Sequence, residues 1–153
     1  MAAIEAVKLA RELRRHGAEI CCYAARSAIE YGVSRAALEW ASGDGVVLEL
    51  SRRAEHLADF DLVVAYPATF NTINKLARGI ADNAVTTLCA TTPFDKLLAA
   101  PVVNLKLCEN PLLQESLSKL RELGATVVDP RIEEGAAKAA KAGEVVGYAV
   151  RAG

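Results

Sequence analysis

The sequence predicts an α/β protein built on a doubly wound parallel sheet with helices on both faces. Short apolar runs alternate with amphipathic stretches along the chain, which is typical of strand–helix–strand units. Such units need crossover connections, and these place successive strands parallel to one another. The chain has 153 residues, of which 52% are hydrophobic and 24% charged. This length and composition predict one domain over residues 1–153 with a sizeable core.

Each element carries its own local signal. Ser34 is predicted to cap one helix, Pro111 to open another, and Gly79 to break the segment that follows the third strand. The predicted strands are short and apolar, and they cover residues 18–24, 45–50, 61–67, 96–101 and 125–130. The predicted helices are amphipathic or rich in alanine, and they cover residues 3–16, 34–42, 70–90 and 111–124, with two more after residue 130.

Charge and hydropathy narrow the class of partner. The net charge is -1, and we interpret the basic cluster over residues 11–15 as a solvated helix face rather than a nucleic-acid site. No apolar run approaches the length of a membrane span, and no charged-then-apolar leader opens the sequence. These features predict a cytoplasmic protein with neither nucleic acid nor membrane as a partner.

The cysteines do not form a metal or redox motif. None of Cys21, Cys22, Cys89 and Cys108 has CxxC spacing, and the adjacent pair lies in a predicted strand, where side chains point to opposite faces. We expect reduced thiols, mostly buried, and no metal site.

Polar side chains follow two of the predicted strands. "DLVVAYP" runs into Thr69, Asn71, Thr72 and Asn74, and "KLLAAP" runs toward Asn104. Parallel sheets bind ligands in the crevice beyond the carboxyl ends of their strands, so we expect a binding site at this edge. The alternative is that Asn71 and Thr72 merely cap a helix, although a cap needs only one such residue.

Two segments give the chain a family resemblance. "PATFNTINKLARGIADNAVTT" resembles the PAT/S-x-NT-x-x-K-x-x-x-G-x-x-DN-x-x-T signature of the flavin-containing cysteine decarboxylases, and "APVVNLKLCENP" is similar to their P-x-M-N-x-x-M segment. "EWASGDGVVLEL" and "VVDPRIEEGAAKAA" look like the archaeal phosphopantothenoylcysteine decarboxylases. The resemblance implies a flavodoxin-like (Rossmann-like) fold, FMN as cofactor, and a homotrimer or a multiple of trimers. It also implies a carboxy-lyase that converts phosphopantothenoylcysteine to phosphopantetheine in coenzyme A biosynthesis.

The resemblance also implies roles for particular residues. Asn104 would hold the substrate carboxylate, His56 would act as acid or base, and Glu134 and Lys138 would clamp the substrate. An ungapped match puts Arg53 at the position of the family's histidine, so His56 and Arg53 both stay candidates for that position. His16 is interpreted as a side chain that interacts with the dipole at the C-terminus of its own helix. The implied flavin-binding residues are Pro67, Ala68, Thr69, Asn71, Thr72, Asp82, Asn83 and Thr86.

Three departures from the family pattern keep alternatives open. The first strand and its Gly-Ser phosphate loop are absent from the sequence, which predicts a start upstream of Met1 and weaker binding of the FMN phosphate without that loop. Leu107 stands where the family has methionine, and the cysteine of the bacterial and plant flap is missing. The alternatives are an FMN flavoprotein that does not decarboxylate, such as an electron carrier or reductase, and an oligomeric subunit without flavin.

Overall fold

A computed structural model describes residues 2–51 and 59–152 of the chain. Helices and strands alternate along most of it, as the sequence predicts. The helices are α1 (Ala2–Arg15), α2 (Arg26–Glu30), α3 (Arg35–Ser42), α4 (Phe70–Arg78), α5 (Ala84–Thr91), α6 (Leu105–Cys108), α7 (Pro111–Glu122) and α8 (Ala142–Ala152), with a 3₁₀ turn at Phe94–Lys96. The strands are β1 (Cys22–Tyr23), β2 (Val46–Val47), β3 (Val63–Ala68), β4 (Leu97–Pro101), β5 (Thr126–Val127), β6 (Arg131–Glu133) and β7 (Ala136–Lys138).

The centre of the fold is a three-stranded parallel sheet in the order β3-β4-β5. Val63 lies opposite Leu97 at the start of the β3–β4 pair, and Ala68 lies opposite Pro101 at its end. Strands β1 and β2 form a second parallel pair. The prediction of a parallel α/β architecture is therefore confirmed.

The sheet is covered on both faces because successive side chains of a strand point in opposite directions. Val63 and Ala65 of β3 pack in one core cluster with side chains of α4, α5 and α7. Val64 and Tyr66 of the same strand pack in a second cluster with α1 and α8. Leu98 is fully buried at the centre of this second cluster. This alternation produces the doubly wound arrangement.

Helix boundaries follow the chemistry of the predicted caps. The Ser34 hydroxyl accepts a hydrogen bond from the Ala37 amide at 3.1 Å, and Pro111 occupies the first turn of α7. Gly79 ends α4 with a φ of 70°, a left-handed conformation that costs glycine little. The predicted break at Gly79 is therefore confirmed.

The segment after β5 differs from the prediction. The first of the two alanine-rich helices expected there is an antiparallel hairpin, β6–β7. Glu134 and Gly135 turn the chain between its strands with φ values of 52° and 72°. Two successive residues with positive φ suit a two-residue hairpin turn and interrupt a helix, which alanine content alone does not reveal. Strands β1 and β2 are also shorter than predicted, and α2 has no counterpart among the predicted elements.

The Tyr66 hydroxyl ties the sheet to the segment before α8. It donates a hydrogen bond of 2.6 Å to the carbonyl oxygen of Ala140, a residue with 0% exposure. Burial raises the pKa of Tyr66 to about 12, so the phenol remains a donor at neutral pH.

We expect Tyr66→Phe to lower the free energy of unfolding by about 1–2 kcal/mol, because the substitution leaves a buried carbonyl without its donor. Urea denaturation monitored by circular dichroism measures this change. Tyr31→Phe is the matched control, since the Tyr31 side chain is 90% exposed. Equal stability of the two variants would contradict the assignment.

Candidate functional site

The carboxyl ends of β3 and β4 bring two of the predicted site segments together. The Val102 amide donates a hydrogen bond of 2.7 Å to the Ala68 carbonyl, and this bond joins the segment after β4 to the last residue of β3. Thr69 then begins α4, and Asn104 begins α6 shortly after β4. Pro67 and Ala68 form the end of β3 itself. The two segments with the predicted polar residues therefore begin helices α4 and α6 just beyond the ends of neighbouring strands.

Thr69 and Thr72 form a hydroxyl pair at the start of α4. The Thr69 oxygen accepts from the Thr72 amide at 3.3 Å, and the two hydroxyl oxygens lie 3.1 Å apart. One hydroxyl must donate to the other, so one hydroxyl hydrogen of the pair stays available for a third group. Thr69, rather than Asn71 or Thr72, is therefore the residue that caps α4, and among the described residues the hydroxyl pair keeps one hydrogen free to donate.

Asn71 and Asn74 have different environments on the same helix. The Asn74 side-chain oxygen accepts a hydrogen bond of 2.6 Å from Ser116, which joins α4 to α7. Asn71 is exposed, and within the described residues its side chain has no hydrogen-bond partner. Asn71 therefore keeps a complete amide, two donors and an acceptor, for a ligand.

Asp82 and Asn83 lie in the turn before α5, and Thr86 lies in the first turn of that helix. The Asn83 side chain accepts from the Thr86 amide at 2.9 Å, and the Thr86 hydroxyl accepts from the Asn83 amide at 3.1 Å, which makes a reciprocal capping box. Thr86 is buried, with 1% exposure. The Thr86 side chain therefore shapes the turn, while Asp82 and Asn83 lie nearer the surface.

Lys75, a residue without a predicted role, connects α4 to this turn. Its ammonium group lies 2.8 Å from the Asp82 carboxylate. This hydrogen bond lowers the pKa of Asp82 below its usual 3.8. The lysine of the family signature, which stands seven positions before an aspartate with Gly79 between them, is the feature of the sequence that could have indicated this ion pair.

Asn104 caps α6 with its side-chain oxygen, which accepts from the Leu107 amide at 2.9 Å. This bond fixes which end of the side chain faces the helix. The nitrogen end, with two N–H donors, points away from the cap, and the residue is exposed. The group that Asn104 leaves for a ligand is therefore a neutral hydrogen-bond donor.

The β6–β7 hairpin lies against α6 through contacts of β7. The Lys138 ammonium group lies 3.3 Å from the Glu133 carboxylate, and Arg131 contacts the same carboxylate. The hydrogen bond from Lys138 is the main cause that lowers the pKa of Glu133. Glu134 is exposed at the tip of the hairpin. The two residues predicted as a clamp thus belong to one hairpin beside the helix of Asn104.

The predicted acid or base lies outside the described residues, which omit 52–58. Both His56 and the competing Arg53 fall in that range. His16 is exposed, and its Nδ1 lies 2.8 Å from the Glu12 carbonyl oxygen at the end of α1. This position agrees with a role at its own helix terminus.

Neither a metal cluster nor a membrane span was found in the part of the chain that the structure describes. No group of three or more histidine, cysteine, aspartate or glutamate side chains there could hold a metal ion. No helix among the same residues is both long and apolar enough to cross a membrane.

The fold and the strand-end signature define a flavoprotein. The flavoprotein family model matches residues 1–152, so the chain belongs to this family, and the resemblance noted in the sequence is confirmed. The coenzyme A biosynthesis bifunctional protein CoaBC of Thermococcus kodakarensis is 40% identical over 99% of this chain and 39% of that protein. Its namesake from Methanocaldococcus jannaschii is 35% identical over 95% of this chain and 37% of that protein. The chain therefore spans about two fifths of the length of these curated relatives.

A solved structure shares the architecture. The FMN-dependent cysteine decarboxylase SpaF superposes with a TM-score of 0.83 at 25% identity, over 99% of this chain and 91% of that one. This likeness covers the described sheet together with its helices on both faces.

We expect Lys75→Gln to raise the pKa of Asp82 toward 3.8, because the substitution removes the cation that stabilises the carboxylate. The folded-state pKa is depressed, so this stabilisation is present above pH 3.8 and is lost as the pH falls through the lower folded value. Carboxyl-carbon NMR titration measures the pKa directly. Lys106→Gln is the control, because Lys106 is an exposed lysine of α6. An unchanged pKa of Asp82 in Lys75→Gln would contradict the ion pair between the two residues.

Proposed function

We propose that the chain is an FMN-dependent carboxy-lyase that decarboxylates phosphopantothenoylcysteine to phosphopantetheine. The observation that carries the proposal is that two helices with polar first residues begin at the ends of the neighbouring strands β3 and β4. On α4 the Asn71 amide has no hydrogen-bond partner among the described residues, and on α6 the Asn104 amide nitrogen points away from the cap. Membership of the flavoprotein family and the names of the relatives support the same reaction.

The donors and acceptors of α4 suit a flavin. A flavin ring edge alternates hydrogen-bond acceptors with a donor, and a ribityl chain carries hydroxyl groups. Thr69, Asn71 and Thr72 offer short hydroxyls and an amide that can satisfy both without bulk. Asp82 and Asn83 would form the second side of the pocket, with Thr86 holding their turn, and Pro67 and Ala68 would form its base.

Asn104 would orient the departing carboxylate. Its side-chain oxygen is engaged in the α6 cap, so only N–H donors remain for the substrate. A neutral donor positions a carboxylate without the ground-state stabilisation that a lysine or arginine would add. FMN, when bound, supplies the oxidising capacity that makes the cysteinyl side chain an electron sink for the loss of carbon dioxide.

The remaining assignments complete the proposed site. His56 is the proposed acid or base, with Arg53 as the alternative at that position. Glu134 and Lys138 are the proposed clamp, supported by the contact of their hairpin with α6. We further propose that the protein works in the cytoplasm as a homotrimer or a multiple of trimers, which light scattering of the purified protein would test.

Asn104→Asp tests the carboxylate contact. Aspartate keeps a side-chain oxygen for the Leu107 amide but replaces the N–H donors with a charge that repels the substrate carboxylate. We expect kcat/KM for carbon dioxide release to fall about 100-fold or more, with the affinity for FMN retained.

The matched control is Asn110→Asp. Asn110 caps α7 through the same kind of bond, 2.8 Å to the Leu112 amide, and has no place in the proposed site. Equal loss of activity in both variants would show that an added charge at a helix start, and not the loss of the Asn104 donor, lowers the activity. Flavin binding with no carbon dioxide release from the unmodified chain would instead support the non-decarboxylating flavoprotein.

Asn71→Ala tests the flavin pocket independently of the reaction. The side chain makes no hydrogen bond within the described residues, so we expect unchanged stability and a Kd for FMN about five- to tenfold higher, as one lost hydrogen bond predicts. Quenching of flavin fluorescence measures the Kd. Ser118→Ala, an exposed change on α7, is the control, and an unchanged Kd in Asn71→Ala would remove this residue from the pocket.

A further inference from the structure

Helix α6, which follows Asn104, is a single turn and has little capacity to hold its own position. It consists of the four residues Leu105–Cys108, and one turn of helix fixes several dihedral angles for very few hydrogen bonds. Leu107 and Cys108 are half-buried and pack against the core beneath the helix. The direction of the Asn104 amide therefore depends on contacts that neighbouring elements make with α6.

The side chain of Gln114 makes one of these contacts from the second turn of α7. Its Nε2 donates a hydrogen bond of 2.6 Å to the carbonyl oxygen of Cys108, one of the terminal carbonyls that a helix cannot satisfy by itself. A carbonyl can only accept, so the nitrogen end of the Gln114 amide faces α6. Gln114 is exposed, so its contribution is this hydrogen bond rather than the burial of its side chain.

Helix α7 is a firm support for α6 because it is anchored in the core and also holds α4. Leu113 and Leu120 of α7 are fully buried. The Ser116 hydroxyl donates a hydrogen bond of 2.6 Å to the side-chain oxygen of Asn74 on α4, the helix of the proposed flavin-binding residues. Residues 114–116 of α7 therefore contact both of the helices that begin at the ends of β3 and β4.

A continuous series of hydrogen bonds runs from α7 to the Asn104 side chain. Gln114 holds the Cys108 carbonyl, and the Cys108 amide donates to the Asn104 carbonyl at 2.9 Å. The Asn104 side-chain oxygen accepts in turn from the Leu107 amide at 2.9 Å. A movement of α6 away from α7 would shift the Leu107 amide and rotate the Asn104 side chain that is bonded to it.

We propose that Gln114 is a positioning residue for decarboxylation, which fixes α6 against α7 and so keeps the Asn104 N–H donors directed at the departing carboxylate. This inference rests on the proposed function, because it assumes that Asn104 holds that carboxylate. Gln114 acts through α6 and needs no contact of its own with substrate or flavin. Such support matters because a displacement of about 1 Å in a reacting group can lower a rate about 100-fold.

Amide hydrogen exchange of the full chain, followed by NMR without substrate, tests the support itself. In Gln114→Ala we expect the Leu107 and Cys108 amides to exchange about 3- to 10-fold faster, as the loss of one hydrogen bond predicts. Gln114→Lys restores an N–H donor of similar reach and should return these rates to those of the unmodified chain. Glu115→Ala is the matched control, because the neighbouring Glu115 pairs with Arg78 of α4 at the surface and should leave α6 unchanged.

A double-mutant cycle connects this support to Asn104. We expect Gln114→Ala to lower kcat/KM for carbon dioxide release from phosphopantothenoylcysteine about tenfold, with the Kd for FMN unchanged, and Gln114→Lys to recover most of the loss. In an Asn104→Asp background, Gln114→Ala should cause no further loss of kcat/KM, because the donors that Gln114 positions are gone. A merely structural role would lower kcat/KM by the same factor in both backgrounds.

Two results would overturn the proposal. One is unchanged exchange of the Leu107 and Cys108 amides in Gln114→Ala. The other is a loss of kcat/KM that is equal in both Asn104 backgrounds, or absent from both. If the unmodified chain binds FMN and releases no carbon dioxide, the proposed function fails and the positioning role falls with it, whereas the exchange rates still show whether Gln114 supports α6.

Discussion

The pairing of β3 with β4 is the interaction on which the rest of the structure depends. Strand β4 is buried along its whole length and β3 at Val63, Ala65 and Ala68, and the side chains of the two strands supply the core clusters on opposite faces of the sheet. The hydrogen bond from Val102 to Ala68 fixes where the two strands end. Since α4 and α6 begin just beyond that point, the position of every polar group at this edge follows from the register of one strand pair.

Capping and ligand binding use the same residues here. Thr69, Asn83 and Asn104 each accept a backbone hydrogen bond at a helix start, which satisfies part of each helix terminus. A cap therefore does more than stabilise a helix, because it also fixes the orientation of the amide or hydroxyl that makes it. This dual use explains why the family signature is rich in short polar residues.

The sequence predicts the parallel sheet, the break at Gly79 and the two strand ends that are followed by polar residues, because apolar strands and glycine or proline boundaries are local signals. It does not predict the β6–β7 hairpin, since alanine content favours a helix while the Glu134–Gly135 turn decides the outcome. Nor does it predict the ion pair between Lys75 and Asp82, which depends on how α4 and the next turn pack.

The most direct test of this account maps where the cofactor binds. Amide and side-chain NMR shifts of the isotope-labelled chain, followed during titration with FMN, identify the residues that change environment. We predict the largest changes at Thr69, Asn71 and Thr72, together with the turn at Asp82 and the side-chain amide of Asn104. Shifts concentrated on α1 and α8, with none at the ends of β3 and β4, would contradict the central claim that this edge is the flavin site.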